Sequence, residues 1–162
     1  MEPHETPEFD TRPVTRAGSK ADLTQRLIAA VIDGAVAGVL TAVIPGVGGL
    51  LGGLYILLRD GLDVEYLRGR SLGKTLMKLK VVREDGQPMD LGTSVRRNWT
   101  LSLGLLVTVL ALIPILGWIA GFFLALIIPI VVIIEAALVF MDADGRRFGD
   151  RTAGTKVVAA AE

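Results

Sequence analysis

The sequence predicts an all-α membrane protein with about four transmembrane helices, paired as two hairpins that begin and end on the cytoplasmic side. Hydrophobic residues make up 51% of the 162 residues and lie mainly in two blocks, 27–58 and 99–141. A soluble domain disperses its apolar residues along the chain, whereas membrane spans concentrate them. Each block is interrupted near its middle by a proline-containing turn, at Pro45 and at Pro114, and neither turn carries a charge.

The first block accommodates two helices. Residues 23–44 extend about 33 Å as an α-helix, which covers a hydrocarbon core of about 30 Å. The second span, placed at 47–66, has only a short apolar part, so a re-entrant segment is an alternative. Its glycines have the i, i+4 spacing of closely packed membrane helices; they are Gly48, Gly49, Gly52 and Gly53.

The second block divides at Pro114 into spans 97–114 and 118–141. Trp99 and Trp118 lie near the ends of these spans, where indole rings favour the membrane interface. The block is too long for one helix and has the right length for two.

The basic residues predict the orientation. Four of the 17 lysines and arginines precede the first span or lie in its first turn, nine lie in 59–97, and four lie in 146–156. By the positive-inside rule both termini and the middle loop are cytoplasmic, which requires an even number of crossings. We therefore expect a transmembrane domain over 23–158, a disordered tail over 1–22 and a short tail over 159–162.

A weak internal repeat relates the two halves. IPGVGGLLG (44–52) resembles IPILGWIAG (113–121), and each hairpin is followed by a valine-ending segment, KLKVV (78–82) and GTKVV (154–158). A true repeat predicts that the two valine segments pair as a small cytoplasmic β-ribbon. Chance similarity among apolar residues is the alternative.

Several kinds of site are excluded or unsupported. The chain has no cysteine, and its single histidine, His4, lies in the polar tail, so we expect no metal site and no cofactor. GRSLGKT (69–75) has three residues between its glycines where a phosphate loop has four. DADGRRFGD (142–150) lacks the later ligands of a calcium loop. We expect neither an enzyme nor a nucleic-acid-binding protein.

Asp33 is the most informative polar residue. It lies about 15 Å along the first span, near the bilayer centre, where a charged aspartate costs about 2.5–3.5 kcal/mol. In one interpretation it binds a cation or proton on a pathway; in the other it is hydrogen-bonded and holds helices together.

Arg26 and Glu135 lie at similar depths near the cytoplasmic interface, in the first and last spans. One hypothesis pairs them, which leaves Asp33 deeper and free to titrate. The alternative is that Glu135 extends to cytoplasmic water and has no basic partner.

Four stretches together resemble the RDD family of bacterial membrane proteins, named for one arginine and two aspartates. They are TQRLIAAVIDG (24–34), GRSLGKTLMKLKVV (69–82), DGQPMDLGTSVRRNW (85–99) and FGDRTAGTKVV (148–158). The resemblance implies that the signature residues are Arg26, Asp33 and Asp150. It also implies a bacterial cytoplasmic membrane protein, with ligand transport and, for some members, cation/proton antiport suggested for the family. Met77-Lys78 departs from the family, where a glycine is common.

Two functions follow as hypotheses. The first is binding or transport of a monovalent cation or proton through Asp33, in a homo-oligomer because four spans leave little room for a pathway. Asp150 would then attract the cation or brace Arg97 or Lys74. The second is a non-transporting scaffold or accessory subunit whose basic loop, 59–98, docks a partner or an anionic lipid.

Overall fold

The computed structural model describes residues 21–62, 67 and 69–160, and these residues are mostly helical. The expected tail over 1–22 lies outside the described residues except for Ala21 and Asp22, and residues 161–162 of the C-terminal tail also lie outside them. The helices in chain order are α1 (Leu23–Val43), α2 (Gly48–Leu58), α3 (Leu72–Leu76), α4 (Leu91–Asn98), α5 (Leu103–Leu110), α6 (Leu116–Met141) and α7 (Phe148–Ala153). The strands are β1 (Leu79–Arg83) and β2 (Thr155–Ala159), and a 3₁₀ turn covers Thr100–Ser102.

The two long helices agree with the first and last predicted spans. The Asp22 carboxylate caps α1 by accepting hydrogen bonds from the backbone N–H groups of Thr24 and Gln25, and α1 ends just before Pro45. In the described part of the chain, α1 and α6 are the helices long and apolar enough to cross a membrane, judged by length and composition.

The two middle spans differ from the prediction. α2 ends at Leu58, well short of the predicted end at 66, because Arg59 and Asp60 turn into a buried polar cluster. The predicted span 97–114 is interrupted after Asn98 by the 3₁₀ turn, and only the eight residues of α5 follow as α-helix. Neither α2 nor α5 is long enough as an α-helix to match a hydrocarbon core of about 30 Å.

The glycines of α2 allow close packing on two sides. A Cβ added at Gly52 would lie 2.6 Å from the Ala37 carbonyl oxygen of α1. A Cβ added at Gly53 would lie 2.8 Å from Leu105 of α5. Helix α2 therefore fits between α1 and α5, and the packing predicted from the glycine spacing is confirmed.

The predicted β-ribbon is also confirmed. β1 and β2 pair antiparallel, with Val81 opposite Val157 and Arg83 opposite Thr155. Leu79 and Val157 are buried and form a small apolar core with Ala21 and Ala29 at the start of α1. The sheet thereby anchors the C-terminal segment beside α1.

Burial is inverted relative to a soluble protein. Within the described ranges, six buried residues are hydrophobic and fifteen are polar or charged. Helix α4 shows the same pattern, because it exposes Leu91 and Val95 and buries Arg97 and Asn98. Trp99, directly after the helix, is also exposed. An apolar outer surface around a polar interior is unfavourable in water and favourable in hydrocarbon. The burial pattern thus points to a membrane environment.

Candidate functional site

Asp33 is the centre of a buried polar cluster. Its Oδ1 accepts hydrogen bonds from the Tyr55 hydroxyl at 2.9 Å and the Gly73 N–H at 2.8 Å. Its Oδ2 accepts one from the Ser71 hydroxyl at 2.6 Å and lies 3.0 Å from the Arg59 guanidinium. The side chain is 1% exposed. Asp33 therefore connects α1 to α2 and α3 and has a basic partner in Arg59.

Helix α3 reaches Asp33 because Gly73 has no side chain. A Cβ at Gly73 would overlap the backbone carbonyl of Ala29 on α1, with the carbonyl carbon 2.8 Å away. Ser71 precedes α3 as its N-cap residue and accepts from the Lys74 N–H, while its own hydroxyl donates to Asp33. The GRSLGKT segment therefore serves as an internal helix cap, and its Gly73 permits contact between α3 and α1.

Asp60 forms the second centre, at the end of α2. The Lys74 ammonium lies 2.6 Å from its Oδ1, and the Arg97 guanidinium lies 2.7 Å from its Oδ2. The Asn98 amide donates to the same Oδ2 at 3.0 Å. Lys74 also lies 4.0 Å from Asp33, so it connects the two carboxylates.

Asp150 forms the third centre, in α7. Its Oδ1 lies 2.5 Å from Nε of Arg97, and its Oδ2 lies 3.3 Å from the Arg26 guanidinium. Asp150 also accepts the backbone N–H of Arg147 and so helps to begin α7. The predicted contact between Asp150 and Arg97 is confirmed, whereas Lys74 pairs with Asp60.

The predicted ion pair between Arg26 and Glu135 is wrong. Arg26 reaches Asp150 and the Gly145 carbonyl, at the other end of the chain. Glu135 instead accepts a hydrogen bond from the Thr100 hydroxyl at 2.5 Å. Depth alone suggested the pair, whereas in the structure Arg26 pairs with Asp150. The second oxygen of Glu135, Oε2, is buried without a hydrogen-bond partner among the described residues.

Burial changes the pKa values of the cluster residues that lie between the spans. Burial lowers the pKa of Lys74 to about 7; attraction to Asp60 opposes this effect, and repulsion from Arg59 and Arg97 adds to it. Burial likewise lowers the pKa of Arg147 to about 10. Burial disfavours ionisation of Asp150, but Arg97 and Arg147 reverse this effect and hold its pKa below the ordinary value.

A cavity of about 230 Å³ lies between α1 and α6, beside the cluster. Its charged lining consists of five basic and two acidic side chains, namely Arg26, Arg59, Lys74, Arg97, Arg147, Asp33 and Glu135. The rest of the lining is apolar and includes Leu23, Leu27, Leu101, Val132, Val139 and Phe140. The cavity therefore combines charged and apolar side chains in one lining.

The sequence model of the RDD family matches residues 47–154. The chain belongs to the RDD family. No curated protein and no solved structure matches the chain. The family, the two long apolar helices and the inverted burial together indicate that this RDD-family protein is a membrane protein.

The matched residues include Asp150 but begin after Arg26 and Asp33. The structure nevertheless joins all three signature positions to one cluster, because Arg26 pairs with Asp150 and Lys74 lies between Asp33 and Asp60. For this RDD protein, the assignment of Arg26 and Asp33 as signature residues therefore depends on the sequence resemblance and on their contacts with the cluster.

Sequence reasoning missed several members of the cluster. Arg59 and Asp60 directly follow an apolar helix, a position where charges ordinarily mark the end of a span. Arg59 therefore counts only as an orientation signal, and Asp60 gives no signal of its own. Asn98 and Arg147 follow basic residues in the sequence, and no motif distinguishes them from ordinary loop residues. In the described part of the chain, no group of three or more histidine, aspartate or glutamate side chains is arranged to hold a metal ion.

Proposed function

We propose that this RDD-family protein is a multi-pass protein of the bacterial cytoplasmic membrane, with both termini in the cytoplasm, that binds an anionic group in the cavity between α1 and α6. The observation that carries the proposal is the charge of the cavity wall, where five basic side chains face two carboxylates. In a medium of low dielectric such an excess attracts an anion and repels a metal cation.

The charges of the whole cluster have a smaller excess of the same sign. Adding Asp60 and Asp150 to the residues that line the cavity gives five basic groups and four carboxylates. A buried charge without a counter-charge is costly, and removing water from it strengthens its attraction for an opposite charge. Below pH 7, where Lys74 keeps its proton, one bound monoanion would balance the cluster.

Specific donors are available for that anion. Nε of Arg59 is buried without a hydrogen-bond partner among the described residues, although the same guanidinium contacts Asp33. Arg147 donates from NH2 to the neutral Asn98 amide oxygen at 2.6 Å, and its Nε lies at the longer distance of 3.8 Å from Asp150. Arginine donors in a water-poor site are well suited to phosphate and carboxylate groups. Arg59 and Arg147 are therefore the proposed anion-binding residues.

Movement of a small cation or proton through Asp33 is the second candidate. It is favoured by Glu135, whose partnerless oxygen lines the same cavity as Asp33. The geometry favours a proton over a metal cation, because Asp33 already accepts three hydrogen bonds and contacts Arg59. A pathway of this kind would use a homo-oligomer, since one chain offers few spans.

A docking role for the basic loop 59–98 has less support. Arg59, Lys74 and Arg97 point inward and are occupied by Asp33 and Asp60. Much of the basic excess that suggested a partner or lipid-docking surface is therefore used inside the protein.

Calorimetric titration of the purified protein in an uncharged detergent tests anion binding, with inorganic phosphate and sulfate as probes. We expect Arg59→Gln to weaken binding, and Arg146→Gln, at a partly exposed arginine that does not line the cavity, to leave it unchanged. Equal affinities of the wild type and Arg59→Gln would contradict the proposal. Proton flux in proteoliposomes that disappears in Asp33→Asn would instead support the second candidate.

The topology is testable because the chain has no cysteine. Single cysteines at Val47 and Leu112, both exposed beside the uncharged turns, should react with a membrane-impermeant maleimide added outside intact cells. A cysteine at Asp144 should react only after lysis. The opposite labelling pattern would contradict the proposed orientation.

A further inference from the structure

We infer that the ligand of the cavity is an anionic amphiphile from the bilayer, whose phosphate or carboxylate head group binds at Arg59 and Arg147 while its hydrocarbon chain leaves between α1 and α6. This inference deepens the proposed function and rests on it. It assigns both a ligand class and a route of access to the site.

The apolar part of the cavity lining supports a hydrocarbon chain. It includes Leu23 and Leu27 from α1 and Val132, Val139 and Phe140 from α6. A free inorganic anion gains nothing from these side chains, whereas the methylenes of a bound amphiphile are shielded from water by them. A lining that is partly charged and partly apolar matches a molecule that has both parts.

The arrangement of the helices leaves the cavity accessible from the side. Helix α1 packs on α2 and α3, and α6 packs on α5, while α1 and α6 make no extensive contact with each other. Leu27 and Phe140 line the cavity and are 58% and 66% exposed, so they also belong to the outer apolar surface. In a membrane that surface faces lipid, and the gap between the two helices opens to the hydrocarbon region.

The volume of the cavity fits a ligand that is only partly enclosed. About 230 Å³ is smaller than the roughly 300–1,000 Å³ of sites that enclose a small molecule completely. The cavity therefore accommodates a head group and the first carbons of a chain. The remainder of the chain would lie among the lipids.

Octyl phosphate, inorganic phosphate and octanol separate the contributions of the head group and the chain. For the purified protein in an uncharged detergent, we expect octyl phosphate to bind at least about tenfold more tightly than inorganic phosphate, because two or three buried methylenes suffice for this difference. Octanol should bind more weakly than octyl phosphate. Arg59→Gln should weaken octyl phosphate binding and leave octanol unaffected.

Two tryptophan variants test the route. Leu27→Trp places a bulky ring at the exposed mouth of the cavity and should weaken octyl phosphate binding with little effect on inorganic phosphate. Val43→Trp, at a position on the same helix that is 69% exposed and outside the cavity, is the matched control and should bind as the wild type does.

The outcomes distinguish this inference from the proposed function. Equal affinities for the two phosphates, both lost in Arg59→Gln, would overturn the inference and leave anion binding intact. No binding of either phosphate would overturn both. Octyl phosphate binding that is unchanged in both Arg59→Gln and Leu27→Trp would also overturn both, because neither the donors nor the gap would then be used.

Discussion

Nε of Arg97 lies 2.5 Å from Oδ1 of Asp150 and joins residues that are 53 positions apart in the chain. NH1 of the same guanidinium lies 2.7 Å from Asp60. Both carboxylates are fully buried, so water cannot replace Arg97. This arginine therefore holds α7 and the end of α2 against α4, and it forms the structural link between the signature aspartate and the rest of the cluster.

Asp150→Asn should strongly destabilise the protein. The substitution keeps the shape of the side chain but leaves Arg97 and Arg26 without their carboxylate, and breaking a buried ion pair from one side costs about 3–5 kcal/mol. Unfolding in mixed micelles with increasing dodecyl sulfate measures the change. Asp144→Asn is the control, because Asp144 is more than half exposed and should contribute little. A small effect of Asp150→Asn would show that the pair is not structural.

The partner of Arg26 can be identified by two double-mutant cycles. Arg26→Gln and Asp150→Asn should show a coupling free energy of about 1 kcal/mol or more, because their side chains are in contact. Arg26→Gln and Glu135→Gln should be additive within about 0.5 kcal/mol, because the two side chains have different partners. A larger coupling free energy for Arg26 with Glu135 than for Arg26 with Asp150 would contradict the observed pairing and favour the ion pair predicted from depth.

Gly73→Ala tests how α3 reaches Asp33. The added methyl group would overlap the Ala29 backbone, which can move less than a side chain, so we expect a loss of about 1–3 kcal/mol in the free energy of unfolding. Gly34→Ala is the matched control, since a Cβ there meets open space and alanine favours helix by roughly 0.5–1 kcal/mol. If both variants behave alike, the close contact between α3 and α1 is absent in the membrane.

The buried amine of Lys74 predicts a pH dependence of stability. The unfolded chain keeps this proton up to the ordinary pKa of 10.5, whereas the folded protein releases it near pH 7. The unfolded state thus binds more protons across this window, so stability rises with pH from about 7 to 10.5, at most by about 1.4 kcal/mol per unit. Lys74→Met should remove this contribution. The difference in slope between the two proteins, measured from pH 7 to 9, checks it, and parallel slopes would contradict it.

The sequence predicted features that depend on local pattern. Composition and length placed α1 and α6, and the repeated valine segments predicted the ribbon. The i, i+4 spacing of Gly48 with Gly52 and of Gly49 with Gly53 predicted close packing. Each of these features is encoded within about 30 neighbouring residues, or in a repeat that can be compared directly.

The charge pairings could not be predicted in the same way. The sequence indicates that Glu135 lies at a membrane depth similar to that of Arg26. The contact of Arg26 with Asp150 depends instead on where α7 packs. Likewise, Arg59 and Asp60 have the sequence context of a span end. The partners of Asp60 come from α3 and α4, so its role follows only from the packing of these helices against α2. Long-range contacts among charged residues leave no periodic signal in one sequence.

The dissociation constant of octyl phosphate for wild type and Arg59→Gln, determined by calorimetry in the same uncharged detergent, tests the anion-binding account most directly. The account predicts that losing one charge-assisted donor raises the constant about tenfold to a hundredfold, while Arg146→Gln leaves it within about twofold. Constants that agree for all three proteins would contradict the account, because the charged side chains of the cavity would then contribute nothing to binding.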